Sequence, residues 1–246
     1  MPRSKGFEFR VFGLRFRLTL VPTLTTIPAL LVLLALGTWQ VHRLHWKVAL
    51  ITERTERVTA PPVALPEAGA DIAALEFRHV RASGHFLHDR ELYMPARELK
   101  SGELGFQIFT PLIGEDGAVT LIDRGFVPLN KKDPATRQAG QVEGPVTVEG
   151  LIRRDGRRSR FTPDNVPEKN FWFYADIPAM ARHAGLTNVR PYYVEADATP
   201  NPGGLPLGGQ ARIVLPNDHL QYAITWYSLA IALVVIYFVY HHVPDA

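Results

Sequence analysis

Cysteine is missing from this chain of 246 residues. A chain without cysteine forms no disulfide bond and performs no thiol redox chemistry. It also cannot hold a metal through a CxxC motif or attach haem through cysteine. Thiolate chemistry is therefore excluded from its functions.

The common enzyme motifs are missing as well. The sequence contains no GxSxG nucleophile elbow, no HExxH helix and no glycine-rich nucleotide loop. The glycines of the Pro/Gly-rich segment 201–209 do not follow a strand into a helix, so they do not predict a phosphate cradle. Because the acidic residues are scattered through predicted turns, the sequence predicts a protein that is not an enzyme.

Positive charge is concentrated at the N-terminus. The formal net charge is +3, and the residues before Leu18 include a basic cluster with Glu8 as the single acidic residue. The cluster consists of Arg3, Lys5, Arg10, Arg15 and Arg17. Such a cluster keeps an N-terminus in the cytoplasm. The basic charge therefore indicates membrane topology, and no nucleic-acid partner is expected.

Two long hydrophobic runs lie near the ends of the chain. Leu18 to Leu36 and Leu220 to Tyr240 contain no charged residue. A helix of about 20 such residues crosses the ~30 Å hydrocarbon core of a bilayer. Pro22 and Pro28 are tolerated in a membrane helix, where neighbouring groups satisfy the freed carbonyls. The sequence therefore predicts two transmembrane helices.

The charge pattern assigns each segment to a side of the membrane. The prediction is a cytoplasmic basic tail (1–17), transmembrane helix 1 (18–41), an extramembrane domain (42–216), transmembrane helix 2 (217–240) and a cytoplasmic tail (241–246). The expected location is a bacterial inner membrane with the domain in the periplasm, or its mitochondrial equivalent. A cleaved signal peptide is the alternative for the first run, because Ala35-Leu36-Gly37 resembles a cleavage site.

The segment between the two runs predicts an α+β fold, namely one mainly antiparallel β domain with a small helix or a barrel-like sheet. Its roughly 170 residues are enough for one core. A Pro- and Ala-rich connector, 59–74, leads into it. Alternating or β-branched runs predict strands at 77–86, 91–97, 106–113, 119–127 and 146–153. Further strands are expected at 171–174, 192–195 and 211–215, and a helix at 177–184.

A histidine lies at the start of the second run. Asp218, followed three residues later by Gln221, predicts a helix N-terminus with His219 as the first helical residue. The positive end of the helix dipole disfavours imidazolium and keeps the ring in the neutral form that ligates a metal or haem iron. The ordinary alternative is a histidine that meets headgroups and water.

The two membrane junctions carry motifs that resemble those of a known family. Residues 36–47, LGTWQVHRLHWK, resemble the LGxWQxxRxxWK signature of the Surf1 family. Residues 216–227, PNDHLQYAITWY, resemble its second signature, and 123–128 (DRGFVP) and 191–194 (PYYV) are weaker internal matches. Phe126 replaces a frequent tryptophan and Tyr227 a common phenylalanine, which preserves an aromatic ring at both positions.

This resemblance implies a role in the assembly of haem-copper cytochrome c oxidase. It implies that the protein binds haem a transiently, with His219 as an axial ligand of the iron, and helps to place it in the catalytic subunit. The expected partners are that subunit, the haem a synthase and membrane lipid. The alternative is an assembly scaffold that stabilises the apo subunit without binding haem.

Helical spacing adds aromatic residues to this expected site. His219, Tyr222, Ala223 and Trp226 recur every three or four positions, which predicts one shared helix face. We expect a macrocycle to lie over Ala223 and stack on Trp226. The alternative is an aromatic belt with a small residue at a helix contact.

The first junction supplies a second set of candidate residues. Trp39, Arg43 and Trp46 repeat at four- and three-residue spacing, which predicts a cation between two indoles. We expect Arg43 or Arg212 to pair with haem propionates near His219. The alternative is that Arg43 extends to lipid headgroups.

The remaining histidines and arginines predict weaker sites. The pair His42 and His45 could ligate a metal, but His85 and His88 repeat the same spacing in a predicted turn. The lone His79 and His183 lack the three or four ligands that a structural metal site needs. A basic loop around Gly156 is expected to be solvated, or to contact anionic lipid or an acidic partner. Its arginines are Arg153, Arg154, Arg157, Arg158 and Arg160.

Overall fold

The structure is a computed structural model of the chain, and it describes residues 7–11, 14–67, 69–156, 158–211 and 215–243. The helices and strands, in chain order, are β1 (Phe7–Val11), β2 (Leu14–Leu18), α1 (Leu20–Thr59), β3 (Val63–Ala64), α2 (Ile72–Leu75), β4 (His79–Phe86), β5 (Leu92–Arg97), β6 (Leu104–Ile113), β7 (Val119–Pro128), β8 (Val146–Arg153), α3 (Ile177–His183), β9 (Val189–Ala196), α4 (His219–His241) and β10 (His242–Val243). The chain divides into two compact units, one of Met1–Thr52 with Val214–Ala246 and one of Glu53–Ile213.

The first unit contains the two hydrophobic runs as helices. Both α1 and α4 are long and apolar enough to cross a membrane. Helix α1 continues to Thr59, well past the predicted span 18–41, and α4 begins at His219. Asp218 precedes α4 as its N-cap residue, but its side chain makes no capping hydrogen bond. The expected side-chain cap is therefore wrong.

A small antiparallel sheet joins the chain before α1 to the chain after α4. Its order is β1-β2-β10, so that His242 lies opposite Phe16. The ring of Phe16 is buried and meets Phe238 and His242 edge to face, at 5.7 and 5.9 Å between centroids. The sequence predicted only two tails here, whereas the structure ties the two helices together at this end.

The second unit is a mainly antiparallel β barrel. Its strand order is β3-β4-β8-β9-β7-β6-β5, and β4 also pairs with β6. Strands β4, β8, β9, β7 and β6 thus close a ring, which β3 and β5 extend. Among the described strands, the parallel pairs are β3 with β4 and β7 with β9. The predicted α+β fold, with two terminal apolar helices flanking a mainly antiparallel β domain, is confirmed.

Most predicted strands match observed ones, and so does the helix at 177–184. The strand expected at 171–174 is wrong, because Phe171 makes only isolated bridges to Tyr93 and Val166. Trp172 beside it is fully buried in the core, where it packs instead of joining a ladder. The strand expected at 211–215 falls largely on residues 212–214, which lie outside the described residues.

Two layers of apolar side chains hold the barrel together. One cluster takes residues from every strand of the ring and fills the interior: Val80, Ala82, Leu112, Ile122, Ile152, Tyr192 and Val194. A second cluster joins the outer face to α3: Leu92, Phe109, Leu121, Trp172, Ala175, Ile177 and Met180. Alternation along each strand sends neighbouring residues to opposite faces, which accounts for both layers.

Local backbone chemistry sets two further features of the barrel. Helix α3 begins where the Asp176 side chain accepts a hydrogen bond from the backbone N–H of Ala179 at 2.9 Å. In β7, Gly125 has φ of +109°, and a Cβ there would lie 2.0 Å from the carbonyl oxygen of Leu207. Only glycine allows the 205–209 segment to approach this strand so closely.

Candidate functional site

The two hydrophobic helices pack closely against each other. A Cβ at Gly37 would lie only 2.8 Å from Cε1 of Tyr227, so the glycine leaves room for that ring. On α4, Ala223 and Ala230 are both buried and lie seven residues apart on the same face. Small residues at a helix contact let the two backbones approach each other.

Polar side chains join the helices at several levels. The hydrogen-bonded pairs are Thr19 Oγ1 with His241 Nε2 at 2.9 Å, Thr23 Oγ1 with Tyr237 OH at 2.8 Å, and Thr38 Oγ1 with Tyr227 OH at 3.1 Å. The residue numbers rise on α1 as they fall on α4, so the helices run antiparallel. In an apolar surrounding such contacts fix the register of the pair.

A fourth contact joins His219 to Gln40. Nδ1 of the imidazole lies 2.7 Å from Oε1 of the amide. Because an amide oxygen only accepts hydrogen bonds, the ring donates from Nδ1 in this contact, and in a neutral ring the lone pair then lies on Nε2. Gln40 is only 9% exposed and His219 is half-buried. The contact therefore orients the ring so that Nε2 is the nitrogen left for ligation.

The four residues predicted to share one face of α4 differ in their exposure to solvent. Tyr222 is 55% exposed, whereas Ala223 is 3% exposed. Trp226 is half-buried, and its Nε1 is buried without a hydrogen-bond partner. Ala223 thus lies in the helix packing and offers no open surface to a macrocycle, contrary to expectation. His219 and Trp226 lie at the border of that packing, and Tyr222 lies outside it.

The first junction presents an exposed aromatic surface. The guanidinium carbon of Arg43 lies 3.8 Å from the ring centroid of Trp46, and both Trp39 and Trp46 are about half exposed. The described contact therefore pairs the cation with one indole, not with two. Arg43 follows Gln40 by three positions and so lies beside it along α1. Arg212, the other expected propionate partner, lies outside the described residues.

The other candidate histidines are mostly dispersed. His42, His45 and His85 are exposed, and Nε2 of His88 is hydrogen-bonded to the carbonyl oxygen of Val142 at 2.9 Å. His183 packs edge to face on Trp172 at 5.8 Å. His79, in contrast, lies with Glu149 and Asp197, the one group of metal-ligand type among the described residues.

The basic loop is partly neutralised by acidic neighbours. Its described ion pairs are Arg153 with Glu195 at 2.9 Å, Arg154 with Glu76 at 2.8 Å and Arg158 with Asp164 at 3.1 Å. Arg157 lies outside the described residues. Phe161, just after the loop, is almost fully exposed. These ion pairs, together with the exposure of residues 158–161, fit the expected solvated loop.

A buried carboxyl pair lies in the barrel wall, and sequence reasoning missed it. Asp123 and Glu195 are register partners across β7 and β9, and both side chains are buried. Burial raises the pKa of Asp123 well above its usual range, and the charge of Glu195 raises it further. Burial also raises the pKa of Glu195, although Arg153 opposes this. The available signal was an acidic residue within an otherwise apolar strand.

Comparison with known proteins identifies the family. The profile of the SURF1 family matches residues 27–231. The chain belongs to the SURF1 family. Over 217 residues it is 43% identical to Surfeit locus protein 1 of Mus musculus, covering 82% of this chain and 70% of that protein. The human protein is also 43% identical, over 218 residues, with 82% and 72% covered. The Takifugu rubripes protein is 38% identical over 240 residues, with 92% and 95% covered.

Membership of the SURF1 family confirms the resemblance read from the two junction motifs. Within the first motif, sequence reasoning selected Trp39 and Arg43, whereas the structure selects Gln40 as the residue that contacts His219. The spacing of residues within the first motif is the sequence signal that indicates Gln40. Gln40 follows Gly37 by three positions, so both lie on the face that packs against α4.

Proposed function

We propose that this member of the SURF1 family is a non-catalytic assembly factor for haem-copper cytochrome c oxidase. In this proposal it binds haem a at His219 and aids its delivery to the catalytic subunit. Membership of the family and the second signature motif support the assignment. The observation that carries it is the contact between His219 and Gln40, which leaves Nε2 available for a metal.

The residues around His219 suit a haem that must later leave. Nε2 has no hydrogen-bond partner among the described residues, and the ring is half-buried, so one side remains open. A neutral imidazole is the usual proximal ligand of haem iron. Tyr222 and Trp226 offer aromatic surface within two turns of the same helix. One protein ligand with partial cover allows release, which a carrier requires.

Trp39 and Arg43 supply the second part of the proposed site. Arg43 is exposed, and its guanidinium stacks on the ring of Trp46. Stacking leaves the N–H groups of the guanidinium available as hydrogen-bond donors. A guanidinium pairs well with carboxylates such as the propionates of haem. We expect the variant Arg43→Ala to retain less haem a while the β domain stays folded. A change in folding, or unchanged haem occupancy, contradicts this role.

The proposed topology follows from the charges around α1. We infer that the N-terminus lies in the cytoplasm and the β domain in the periplasm of a bacterial inner membrane, or in the mitochondrial equivalent. The basic residues before the helix support this orientation. The proposed partners are the catalytic subunit of the oxidase, the haem a synthase and membrane lipid. The relatives compared above are animal proteins, so the bacterial membrane stays a prediction.

A scaffold that never binds haem is the second candidate function. It is favoured by the set of polar contacts between α1 and α4, which hold the helices together without any cofactor. In that case the contact between His219 and Gln40 serves packing alone. The protein would then stabilise the apo catalytic subunit through its helices and its domain.

Haem content distinguishes the two functions. The full chain is co-expressed with a haem a synthase, purified in detergent and assayed for pyridine-haem. We expect haem a in the wild type and in His45→Ala, a control that removes an exposed histidine of α1. We expect most of it to be lost in His219→Ala. If His219→Ala keeps the wild-type amount of haem, the carrier is contradicted and the scaffold remains.

A further inference from the structure

We propose that the outer face of the β barrel binds a divalent metal ion between His79, Glu149 and Asp197. One potential ligand atom from each of the three residues lies within 4.8 Å of the other two. The site belongs to the second unit and shares no residue with the proposed haem site. It therefore adds a function that is independent of haem binding.

The register of three adjacent strands creates this group. Glu149 of β8 lies opposite Arg81 of β4, and His79 precedes Arg81 by two residues on the same face. The backbone N–H of Asp197, just after β9, donates to the carbonyl oxygen of Glu149 at 3.0 Å. Val80 belongs to the interior cluster, so its neighbour His79 faces outward.

Each of the three groups keeps an atom without a partner among the described residues. Nε2 of His79 is buried and has no hydrogen-bond partner. Glu149 receives both Arg81 hydrogen bonds on Oε1, at 2.9 and 2.6 Å, which leaves Oε2. Asp197 accepts the backbone N–H of Thr199 on Oδ1 at 2.9 Å, which leaves Oδ2. A buried ring nitrogen is costly to leave unpaired, and a metal ion would satisfy it.

The donor set indicates the class of metal. One imidazole and two carboxylates suit first-row divalent ions such as Zn²⁺ or Mn²⁺ better than Mg²⁺, which prefers oxygen and water. Ligand atoms about 2.1 Å from zinc lie roughly 3.4 Å apart, so atoms that lie within 4.8 Å of one another must close by at most about 1.4 Å. The Arg81 side chain is 55% exposed and is free to move aside.

Charge and space both favour a bound cation. Among the described residues the ion pair formed by these two carboxylates is that of Glu149 with Arg81, which leaves one negative charge for the metal. Glu149 and Asp197 also line a cavity of about 450 Å³. A metal held by the two carboxylates and by His79, which lies outside the cavity lining, keeps a coordination position open to water or a small ligand.

Zinc titration of the intact protein tests the site. The full chain is purified in detergent without an oligohistidine tag, treated with EDTA and titrated with Zn²⁺ by calorimetry. We expect one Zn²⁺ per chain, with weaker Mn²⁺ binding and still weaker Mg²⁺ binding. His79→Ala and Asp197→Asn should each lower the zinc affinity at least tenfold. His85→Ala, which removes an exposed histidine of the same strand, should leave it unchanged.

The controls separate metal ligation from folding and from other histidines. Thermal unfolding of each metal-free variant checks the fold, and Asp197→Asn and Glu149→Gln provide near-isosteric replacements if His79→Ala does not fold. The absorption spectrum of the Co²⁺ complex reports the ligand set directly. No zinc binding by the wild type overturns the proposal, and so does equal affinity in the wild type and the folded variants.

Discussion

His219 and Gln40 face each other across the two hydrophobic helices, with Nδ1 of the ring 2.7 Å from Oε1 of the amide. The two residues come from the two signature motifs of the SURF1 family, at opposite ends of the chain. Their contact gives these motifs a shared structural role. One motif supplies a potential ligand, and the other orients that ligand through the hydrogen bond to Nδ1.

Replacing Gln40 with alanine tests this relationship. The variant loses the side chain that orients the His219 ring, so we expect haem a retention to fall about 10- to 100-fold. Pyridine-haem analysis of the purified protein, co-expressed with the haem a synthase, provides the measurement. The matched control is Thr38→Ala, which removes the hydrogen bond to Tyr227 at 3.1 Å and leaves His219 untouched. Equal losses in the two variants would show that Gln40 acts only through helix packing.

Gly37 is expected to tolerate no larger side chain. A Cβ there would lie 2.8 and 2.9 Å from two ring atoms of Tyr227, and overpacking of this kind costs about 1–3 kcal/mol. We expect Gly37→Val to lower the stability of the helix pair by that amount, measured by unfolding in mixed SDS micelles. In the double variant with Tyr227→Ala the two losses should be less than additive, because the ring no longer occupies the space. Additive losses would mean that the two residues do not compete for the same volume.

In the second unit, Glu91, just before β5, and Arg137, between β7 and β8, form a buried ion pair. Both side chains are 1% exposed, and Nη1 of Arg137 donates to Oε1 of Glu91 at 3.0 Å. Glu91→Gln leaves the guanidinium buried without its counter-charge, so we expect a loss of about 3–5 kcal/mol in the free energy of unfolding. Hydrogen exchange of the barrel amides in the full chain measures this loss.

The matched control for the buried pair is a more exposed one. Arg154 and Glu76 lie 2.8 Å apart, and 47% and 21% of their side chains are exposed, against 1% for each side chain of the buried pair. Glu76→Gln should therefore cost less than about 1 kcal/mol. A similar loss in Glu76→Gln and Glu91→Gln would contradict burial as the reason for the difference.

Short-range periodicity explains which parts of the fold could be predicted. Each strand of the ring carries apolar residues within a short run, with buried positions that alternate in β4 and are nearly continuous in β6 and β7, so its existence is visible in a window of a few residues. The segment around Trp172 is equally apolar, but Trp172 packs in one cluster with residues of α3 instead of pairing in the sheet. A local sequence pattern does not distinguish such a segment from a strand.

Contacts between distant residues explain what could not be predicted. Gln40 and His219 are 179 positions apart, and no local pattern links them. Likewise, His79 appeared isolated in the sequence, because its carboxylate neighbours come from two other strands. The histidine of the proposed haem site was found from its motif, whereas its partner was found only from the packing of the helices.

The carboxyl pair Asp123 and Glu195 predicts a characteristic pH dependence. Burial raises the pKa of both groups in the folded domain, whereas in the unfolded chain they titrate near about 3.9 and 4.3. The folded state therefore binds their protons more tightly, and this stabilisation is fully present below the unfolded values and lost as the pH rises through the raised folded values. An amide does not titrate, so we expect Asp123→Asn to flatten this loss of stability with rising pH. The amide oxygen still accepts from the Gly125 N–H, a bond of 3.0 Å in the native chain, so the local structure is kept. Urea unfolding, followed by circular dichroism across this pH range, gives the midpoint of each variant. Asp164→Asn, at an exposed position, is the control. Parallel pH profiles for Asp123→Asn and the wild type would show that the pair does not retain its protons in the folded barrel.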